Sequence, residues 1–430
     1  MSKLTTIISF AKVRWGMKFT SRRKLEAYQL RRLQRHYRFL TRHSSQFQSL
    51  PALRTLNDLN NWPTMDKATM MDNFNVINTV HLDRDSALER AIDNERARDF
   101  TQTYKGLSVG LSSGTSGHRG LFVVSDKERE QWAGVILAHS LPKGKLLGHR
   151  VAFFLRADNN LYQTVGSKIL KFRYFDIYNP MAENLAALAD FQPTILVAPP
   201  SVLRIIAQQQ TVPPLAITPQ KVIAVAEVLG RGDTAFLKKA FGVAAIHQIY
   251  QCTEGYLAHT CEKGIIHLNE DIVVFEKERI GGRRFVPIIT DFSRTSQPII
   301  RYRLNDILIE RKTPCTCGSA LTAIDRIEGR EGDILSFHTP SGTEVRVFSD
   351  MIERCMIYAS GYRDYRVVQV ADDHLNIYID SVTAQTKRAI SAEFRRLATR
   401  IGIKEPRLTF KPYKLDLNKK LRRVQRELDA

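Results

Sequence analysis

Residues 194–229 read TILVAPPSVLRIIAQQQTVPPLAITPQKVIAVAEVL. Two short apolar runs, 194–200 and 221–229, flank a stretch whose apolar residues recur at helical spacing, PSVLRIIAQQQ (200–210). Apolar runs of this length predict buried strands, and strand–helix–strand order predicts a parallel sheet with helical cover. The pattern extends upstream: RVAFFL (150–155) and ILKFRYFDI (169–177) are two more buried strands, and MAENLAALADF (181–191) is another helix. The expected fold class is therefore α/β.

Two other textures flank this core. Residues 1–75 are predicted to form a helical, basic lead-in, with Leu25, Tyr28, Leu33, Tyr37 and Leu40 at helical spacing and Thr64 or Asp66 capping a short helix. Beyond about residue 331, YRVVQVA (365–371) and HLNIYID (374–380) read as strands joined by a tight turn. TAQTKRAISAEFRRLATRIG (383–402) is an amphipathic helix ending at Gly402, and RLTFKPY a last strand. The expected division is an N-terminal domain over 1–330 and a small α+β domain over 331–430, joined at GREGD (329–333).

The chain has 430 residues, of which 43% are hydrophobic and 25% charged, and a net charge of +20. No apolar run reaches the length of a membrane span. The N-terminal MSKLTTIISFAKVRW has a lysine inside its apolar patch and no small-residue cleavage site after it, which argues against a secretory signal. Five cysteines, two of them in CTC, suggest reduced thiols in a cytoplasm or a metal site. Much of the positive charge sits in RRKLEAYQLRRLQRHYRFLTRH (22–43) and KKLRRVQREL (419–428), both helix-like. Neither interleaves aromatics in a nucleic-acid-binding pattern, so nucleic acid is disfavoured. An acidic protein partner or peripheral contact with an anionic membrane fits better.

In LSVGLSSGTSG (107–117) a mostly apolar strand runs into a Gly/Ser/Thr loop. Glycines admit a ligand close to the backbone, and successive N–H groups with hydroxyls form an anion nest, for which a phosphate chain is the natural guest. It is not a loop of the GxxxxGK[ST] kind, because the lysine–hydroxyl pair is missing.

SSGTSG (112–117) resembles the phosphate-binding loop of the adenylate-forming enzymes. AVAEVL (224–229) is similar to their GAE stretch beside the adenine, with alanine replacing its glycine, and IYQCTEG (249–255) to their Y-x-x-[ST]-E motif. PIIRYRLNDI (298–307) and RIEGREGDIL (326–335) resemble PVIRYRTRDI and RIxGRxDDML of the phenylacetate–CoA ligase branch. Five motifs in family order point to the phenylacetate–CoA ligase/coenzyme F390 synthetase-like (CapK-like) branch. The resemblance implies a large domain of mixed sheets covered by helices, a small C-terminal domain that rotates, and ATP and Mg2+ as cofactors.

The chemistry suits these residue types. Attack of a carboxylate on the ATP α-phosphate brings negative charges together, so it needs donors, a metal and in-line positioning. By the resemblance, Ser112, Ser113, Gly114, Thr115, Ser116 and Gly117 hold the β- and γ-phosphates, with Arg119 an added cation. Ala226 and Glu227 lie beside the adenine, Tyr250 stacks on it, and Thr253 approaches the α-phosphate. Glu254 holds Mg2+, Asp306 accepts from the ribose hydroxyls, and Arg330 binds near the ribose or phosphate. Lys420, in LNKKLRRV, corresponds to the lysine of the first half-reaction. Two departures stand out. Gly332 occupies the place of the hinge acid, so that acid's electrostatic role is expected to be lost, and Lys419 replaces the glycine before the lysine.

KTPCTCGSA places Cys315 and Cys317 in C-x-C-G, and CEKGIIH places Cys261 and His267 at C-x5-H. The branch often builds a structural zinc from such elements, which implies a Cys3His tetrad with His259 in reserve. Cys252 is expected to line the active site, and Cys355 to be buried on a helix. The acyl pocket falls on 153–180 and 195–203, with Arg156, Asn159 and Tyr162 as polar candidates. The expected activity is ATP-dependent formation of acyl-AMP from an aryl or medium- to long-chain carboxylic acid. Transfer to CoA or to the phosphopantetheine of an acidic acyl carrier protein would follow. The alternatives are a nucleotidyl transferase of F390-synthetase type and a non-catalytic basic adaptor.

Overall fold

The computed structural model describes residues 4–97, 99, 101–112, 120–144, 146–156, 170–210, 215–417 and 420–427. The chain forms two compact units. The first comprises Met1–Leu229, Asp233–Leu304 and Ile309–Arg326; the second comprises Gly230–Gly232, Asn305–Leu308 and Ile327–Ala430.

The first unit is built on the parallel strands expected from the apolar runs. In spatial order they are Leu170–Asp176, His149–Leu155, Ile195–Ala198, Lys221–Ala224 and Ile246–Cys252. Ile195 pairs with Val151 on one side and Lys221 on the other. All four residues of Ile195–Ala198 are buried, as a strand covered on both faces requires. Antiparallel strands continue the sheet: Gly255–Thr260 folds back on Ile246–Cys252, and Ile266–Leu268 pairs with it in turn. A long hairpin, Val273–Gly281 and Arg284–Asp291, takes Ile299–Arg303 on its outer edge. The fold is thus α/β with a mixed sheet and helical cover.

The second apolar run does not remain a strand to 229. It ends at Ala224, and Ala226 has φ +65°, a left-handed conformation that breaks strand geometry. The lead-in is helical in pieces: Leu4–Ala11, Arg22–His43, Lys67–Asp72 and Phe74–Ile77 are α-helices with shorter turns between them. Leu25, Leu33 and Leu40 are buried at their helical spacing. Asp66, not Thr64, caps the short helix, accepting from Thr69 N at 2.8 Å. Among the described residues no helix is long and apolar enough to cross a membrane.

The second unit is a four-stranded sheet in the order Arg407–Pro412, His374–Ile379, Tyr365–Ala371, Val424–Arg426, with helices Ser349–Tyr358 and Ala384–Ile401. Val367, Leu375, Ile377, Phe394 and Leu397 form its core. Gly402, φ +73°, ends the second helix as expected. The basic tail is corrected: instead of a helix, Val424–Arg426 is a strand lying parallel to Tyr365–Ala371. Leu421 and Val424 are buried there, and Arg423 reaches Asp364 at 2.6 Å. The partner strand outweighs local helix preference.

Candidate active site and metal cluster

The described ends of the SSGTSG loop are tied together. Ser112 N donates to the Gly120 carbonyl at 2.8 Å, and Gly120 N donates to Ser112 Oγ at 2.8 Å. This neck joins the strands Leu107–Leu111 and Leu121–Ser125, which pair in register from Leu107–Ser125 to Leu111–Leu121. Ser113, Gly114, Thr115, Ser116, Gly117 and Arg119 lie outside the described residues, as do Asn159, Tyr162 and Lys419.

The neck opens on a cleft lined by Lys67, Gly120, Thr253, Glu254, Gln297 and Tyr302 with apolar neighbours. Glu254 follows the strand Ile246–Cys252, so the turn into the next strand projects its carboxylate. Thr253 Oγ1 donates to Glu254 Oε2 at 2.9 Å, and the Tyr302 hydroxyl donates to Oε1 at 3.0 Å. Burial and the carboxylate beside it push the Tyr302 phenol far above its ordinary range, so it stays a donor. The strand Ile299–Arg303 is held by Arg301, whose guanidinium grips Glu276 at 2.7–3.1 Å and also reaches the Trp62 carbonyl. Arg301 has φ +41°, a strained conformation of the kind that gathers at functional sites.

Sequence reasoning missed Lys67, Gln297 and Tyr302. Tyr302 lay inside the quoted PIIRYRLNDI, where attention went to Asp306. Lys67 comes from the lead-in, which reaches the cleft because Met65 N donates to the Arg301 carbonyl at 3.0 Å and Arg303 N to the Met65 carbonyl at 2.7 Å.

Glu227 and Tyr250 are more enclosed than a nucleotide-facing reading suggests. The Glu227 side chain is fully buried; it accepts from Arg156 Nη2 at 2.9 Å and from Ser201 N at 3.1 Å. Tyr250 is buried within its strand, and Cys252 Sγ lies 3.8 Å from the Gly255 carbonyl. In the second unit, Asp306 and Arg330 form an ion pair at 3.6 Å. Lys420 precedes the strand Val424–Arg426 and is half-buried. Gly332 sits in a short turn with ordinary backbone angles; the glycine that needs its conformation is Gly329, φ +144°. Asp333, one position after Gly332, is buried, accepts from Arg330 N at 3.2 Å and pairs with Arg422.

Cys261, His267, Cys315 and Cys317 converge, their ligand atoms all within 4.8 Å of one another. Cys261 Sγ lies 3.7 Å from Cys315 Sγ, and Cys317 Sγ lies 3.5 Å from His267 Nε2. A tetrahedral zinc with Zn–S of about 2.3 Å and Zn–N of about 2.0–2.1 Å separates two sulfurs by roughly 3.8 Å and a sulfur from a nitrogen by roughly 3.6 Å. These two separations and the donor set therefore fit zinc. His267 Nδ1 meets the Leu321 carbonyl at 3.0 Å, which leaves Nε2 for a metal. Burial and the neighbouring thiols push Cys317 up to about 11, an arrangement that a cation would relieve. His259 is not part of the tetrad: its Nδ1 meets Asn269 Oδ1 at 2.6 Å and its ring stacks on His139. Cys355 is buried on the helix Ser349–Tyr358, as expected.

Among solved structures, 2-hydroxyisobutyryl-CoA ligase in its postadenylation state with 2-HIB-AMP superposes with a TM-score of 0.73 at 16% identity, over 96% of this chain and 91% of that one. The chain has the fold of the adenylate-forming ligases. A second such neighbour, the GH3.15 acyl acid amido synthetase, gives a TM-score of 0.58 at 12% identity over 92% and 86% of the two chains. CapK of Staphylococcus aureus is 32% identical over 123 residues, 28% of this chain, so the match spans about a quarter (27%) of that protein's length. No family model matches the chain. Within the adenylate-forming fold, the cleft at Glu254 and the loop neck share the first unit, where His267 of the tetrad lies on the strand Ile266–Leu268 and its three cysteines lie in loops.

Proposed function

We propose that the protein activates a carboxylic acid with ATP and passes the acyl group to a thiol of CoA or of a carrier-protein phosphopantetheine. A substrate carboxylate oxygen attacks the α-phosphorus, the bond to the bridging oxygen breaks, and pyrophosphate leaves. The observation that carries this reading is the cleft, where Glu254, held by Thr253 and Tyr302, opens beside the neck of a Ser/Gly loop. That loop offers backbone and hydroxyl donors to phosphates, and Lys67 lines the cleft as a point charge. Glu254 supplies the hard carboxylate oxygen that Mg2+ takes together with phosphate oxygens. Mg2+ bound there would neutralise charge on the triphosphate.

Asp306 is assigned to the ribose hydroxyls, with Arg330 orienting it through their ion pair. Lys420 is assigned to the first half-reaction on the resemblance of LNKKLRRV. The tetrad Cys261, His267, Cys315 and Cys317 is assigned to structural zinc, since four protein ligands leave no open position for chemistry. An aryl or medium- to long-chain acid remains the proposed substrate class. The cysteines, which form no disulfide among the described residues, suit a cytoplasmic location.

The test is ATP–pyrophosphate exchange across a panel of aryl and fatty acids. Exchange that depends on particular acids and is lost in Glu254→Gln supports the assignment. Hydroxylamine then separates the two catalytic readings, because it traps an acyl-AMP as a hydroxamate and leaves a stably adenylylated alcohol untouched. Absence of both exchange and ATP binding would turn the assignment over to the basic adaptor.

A further inference from the structure

The helix Leu4–Ala11 is clamped against the helix Asp126–Ser140. Their backbones approach so closely at Gly134 that a Cβ there would stand 2.7 Å from Ser9 Cβ and 2.9 Å from Phe10 N. Val13 packs with Val135, Ala138 and Tyr256, and Arg14 Nη1 caps the carbonyls of Ala138 and Leu141 at 3.0 and 2.9 Å. With one side fixed in this way, the opposite side has a defined outward face. Leu4, Ile7, Ile8 and Trp15 are 60, 61, 56 and 58% exposed. They are not scattered. Leu4, Ile8 and Lys12 follow one another at four-residue intervals, as do Ile7, Ala11 and Trp15.

The surroundings of that face are cationic. Lys12 is exposed as a residue, but its ammonium stands over the Tyr28 ring at 5.8 Å, where partial burial and then the charge of Arg32 lower its pKa against the opposing pull of Asp271. Arg31, Arg35, Arg38 and Arg42 are exposed at helical spacing along Arg22–His43, a helix whose single acid is Glu26. Aliphatic side chains and a tryptophan beside a row of cations form the composition that settles at a lipid headgroup boundary. A nucleic acid would satisfy the arginines but would leave Leu4, Ile7 and Ile8 in water. A convex helix face of this kind offers no groove for a peptide.

We propose that Leu4, Ile7, Ile8 and Trp15, with Lys12 and the arginine row beside them, seat the protein on an anionic membrane surface. The apolar side chains enter the headgroup–acyl boundary and the guanidinium groups meet lipid phosphates. The proposal is independent of the adenylation reading and concerns where the protein works.

The experiment is co-sedimentation of the full chain with vesicles of phosphatidylcholine alone or mixed with phosphatidylglycerol. Binding is expected to the mixed vesicles only and to weaken as salt is raised. The Trp15 emission should shift to the blue on binding and the shift vanish in Trp15→Phe, since Trp62 is buried and Trp132 half-buried. Ile7→Ser with Ile8→Ser, and separately Lys12→Glu with Arg35→Glu, should each weaken partition by about ten-fold or more, while thermal unfolding stays at the wild-type temperature. Failure to sediment with mixed vesicles, equal binding to neutral ones, or wild-type binding by both variants overturns the proposal. A dimer that dissolves in the isoleucine variant, with no vesicle binding, overturns it in favour of a second copy of the chain.

Discussion

The Tyr302 hydroxyl and the Glu254 carboxylate meet at 3.0 Å, although 48 residues separate them in the chain. The contact depends on Arg301, strained at φ +41° and held by Glu276, which turns the edge strand so that Tyr302 faces the cleft. A hydrogen bond to a charged group contributes about 1.5–3 kcal/mol, so Tyr302→Phe should lower ATP–pyrophosphate exchange by roughly ten- to a hundred-fold. Glu254→Gln should lower it by about a hundred-fold or more, because it removes charge where charge is required. A Tyr302→Phe enzyme with wild-type exchange would show that the hydrogen bond does not position the carboxylate.

The thiol–imidazole tetrad gives a prediction that does not depend on turnover. Purified protein should carry stoichiometric zinc, and Cys315→Ser or His267→Ala should lose it. Loss of a few kcal/mol of metal-linked stability should lower Tm by roughly 5–10 °C. Elemental analysis and thermal unfolding, with and without chelator, check both parts. Metal-free protein with an unchanged Tm would identify the four side chains as a cluster of convenience.

The parallel strands could be read from sequence because burial on both faces leaves an unmistakable apolar run, as in Ile195–Ala198. Spacing alone marked only the Cys315–Cys317 pair; the resemblance to the phenylacetate–CoA ligase branch joined Cys261 and His267 to it, and the four side chains do converge. Tyr302 and Lys67 could not be read in that way. Their approach to Glu254 depends on long-range pairings, Met65 with the strand Ile299–Arg303 and that strand with Arg284–Asp291, and no local periodicity records them. The strand Val424–Arg426 was hidden for the same reason: its reason to be extended is the neighbouring strand Tyr365–Ala371.

Two small residues give opposite expectations. Ala226 holds φ +65°, a conformation that costs an L-residue about 1–2 kcal/mol and a glycine little. Ala226→Gly should therefore stabilise the protein by roughly 0.5–1 kcal/mol after the entropy of the extra glycine is subtracted. Gly329 holds φ +144°, so Gly329→Ala should destabilise by about 1–3 kcal/mol, whereas Gly332→Ala should stay within roughly 0.5 kcal/mol. Urea unfolding of the three variants checks the order. A larger loss at Gly332 than at Gly329 would return the conformational requirement to Gly332.

Buried histidines set the acid response. His36 is pushed down to about 4 by burial and by Arg32, and burial, then Lys221, takes His247 to about 4 as well. Below the ordinary 6.5 the unfolded chain binds protons that these native rings refuse. Their stabilising effect is therefore present above that value and is lost as pH falls towards 4. Asp271, pushed up to about 6 by burial, works the other way: it binds its proton more tightly when folded, so its contribution is lost as pH rises from 3.8 to about 6. Burial lowers His139 and His259 in the same sense and raises Asp291 as it does Asp271, so four buried histidines against two buried carboxylates leave the protein less stable at pH 5 than at pH 7. His36→Leu should narrow that difference in denaturant midpoint; an unchanged difference would mean that native His36 titrates normally.

Arg156 and Glu227 test whether the proposed acyl pocket is built for a substrate charge or for itself. Glu227 has no exposed side-chain surface, and Arg156 Nη2 and Ser201 N both donate to it. Removing one partner of such a pair leaves a buried charge uncompensated and costs about 3–5 kcal/mol, whereas removing both charges costs much less. Arg156→Ala should accordingly be far less stable than Arg156→Ala combined with Glu227→Gln. If the arginine instead serves a polar substrate, the single variant should keep its stability and change which acids support exchange. The buried ion pair predicts the first result, with the difference between single and double variants as the measure of the coupling.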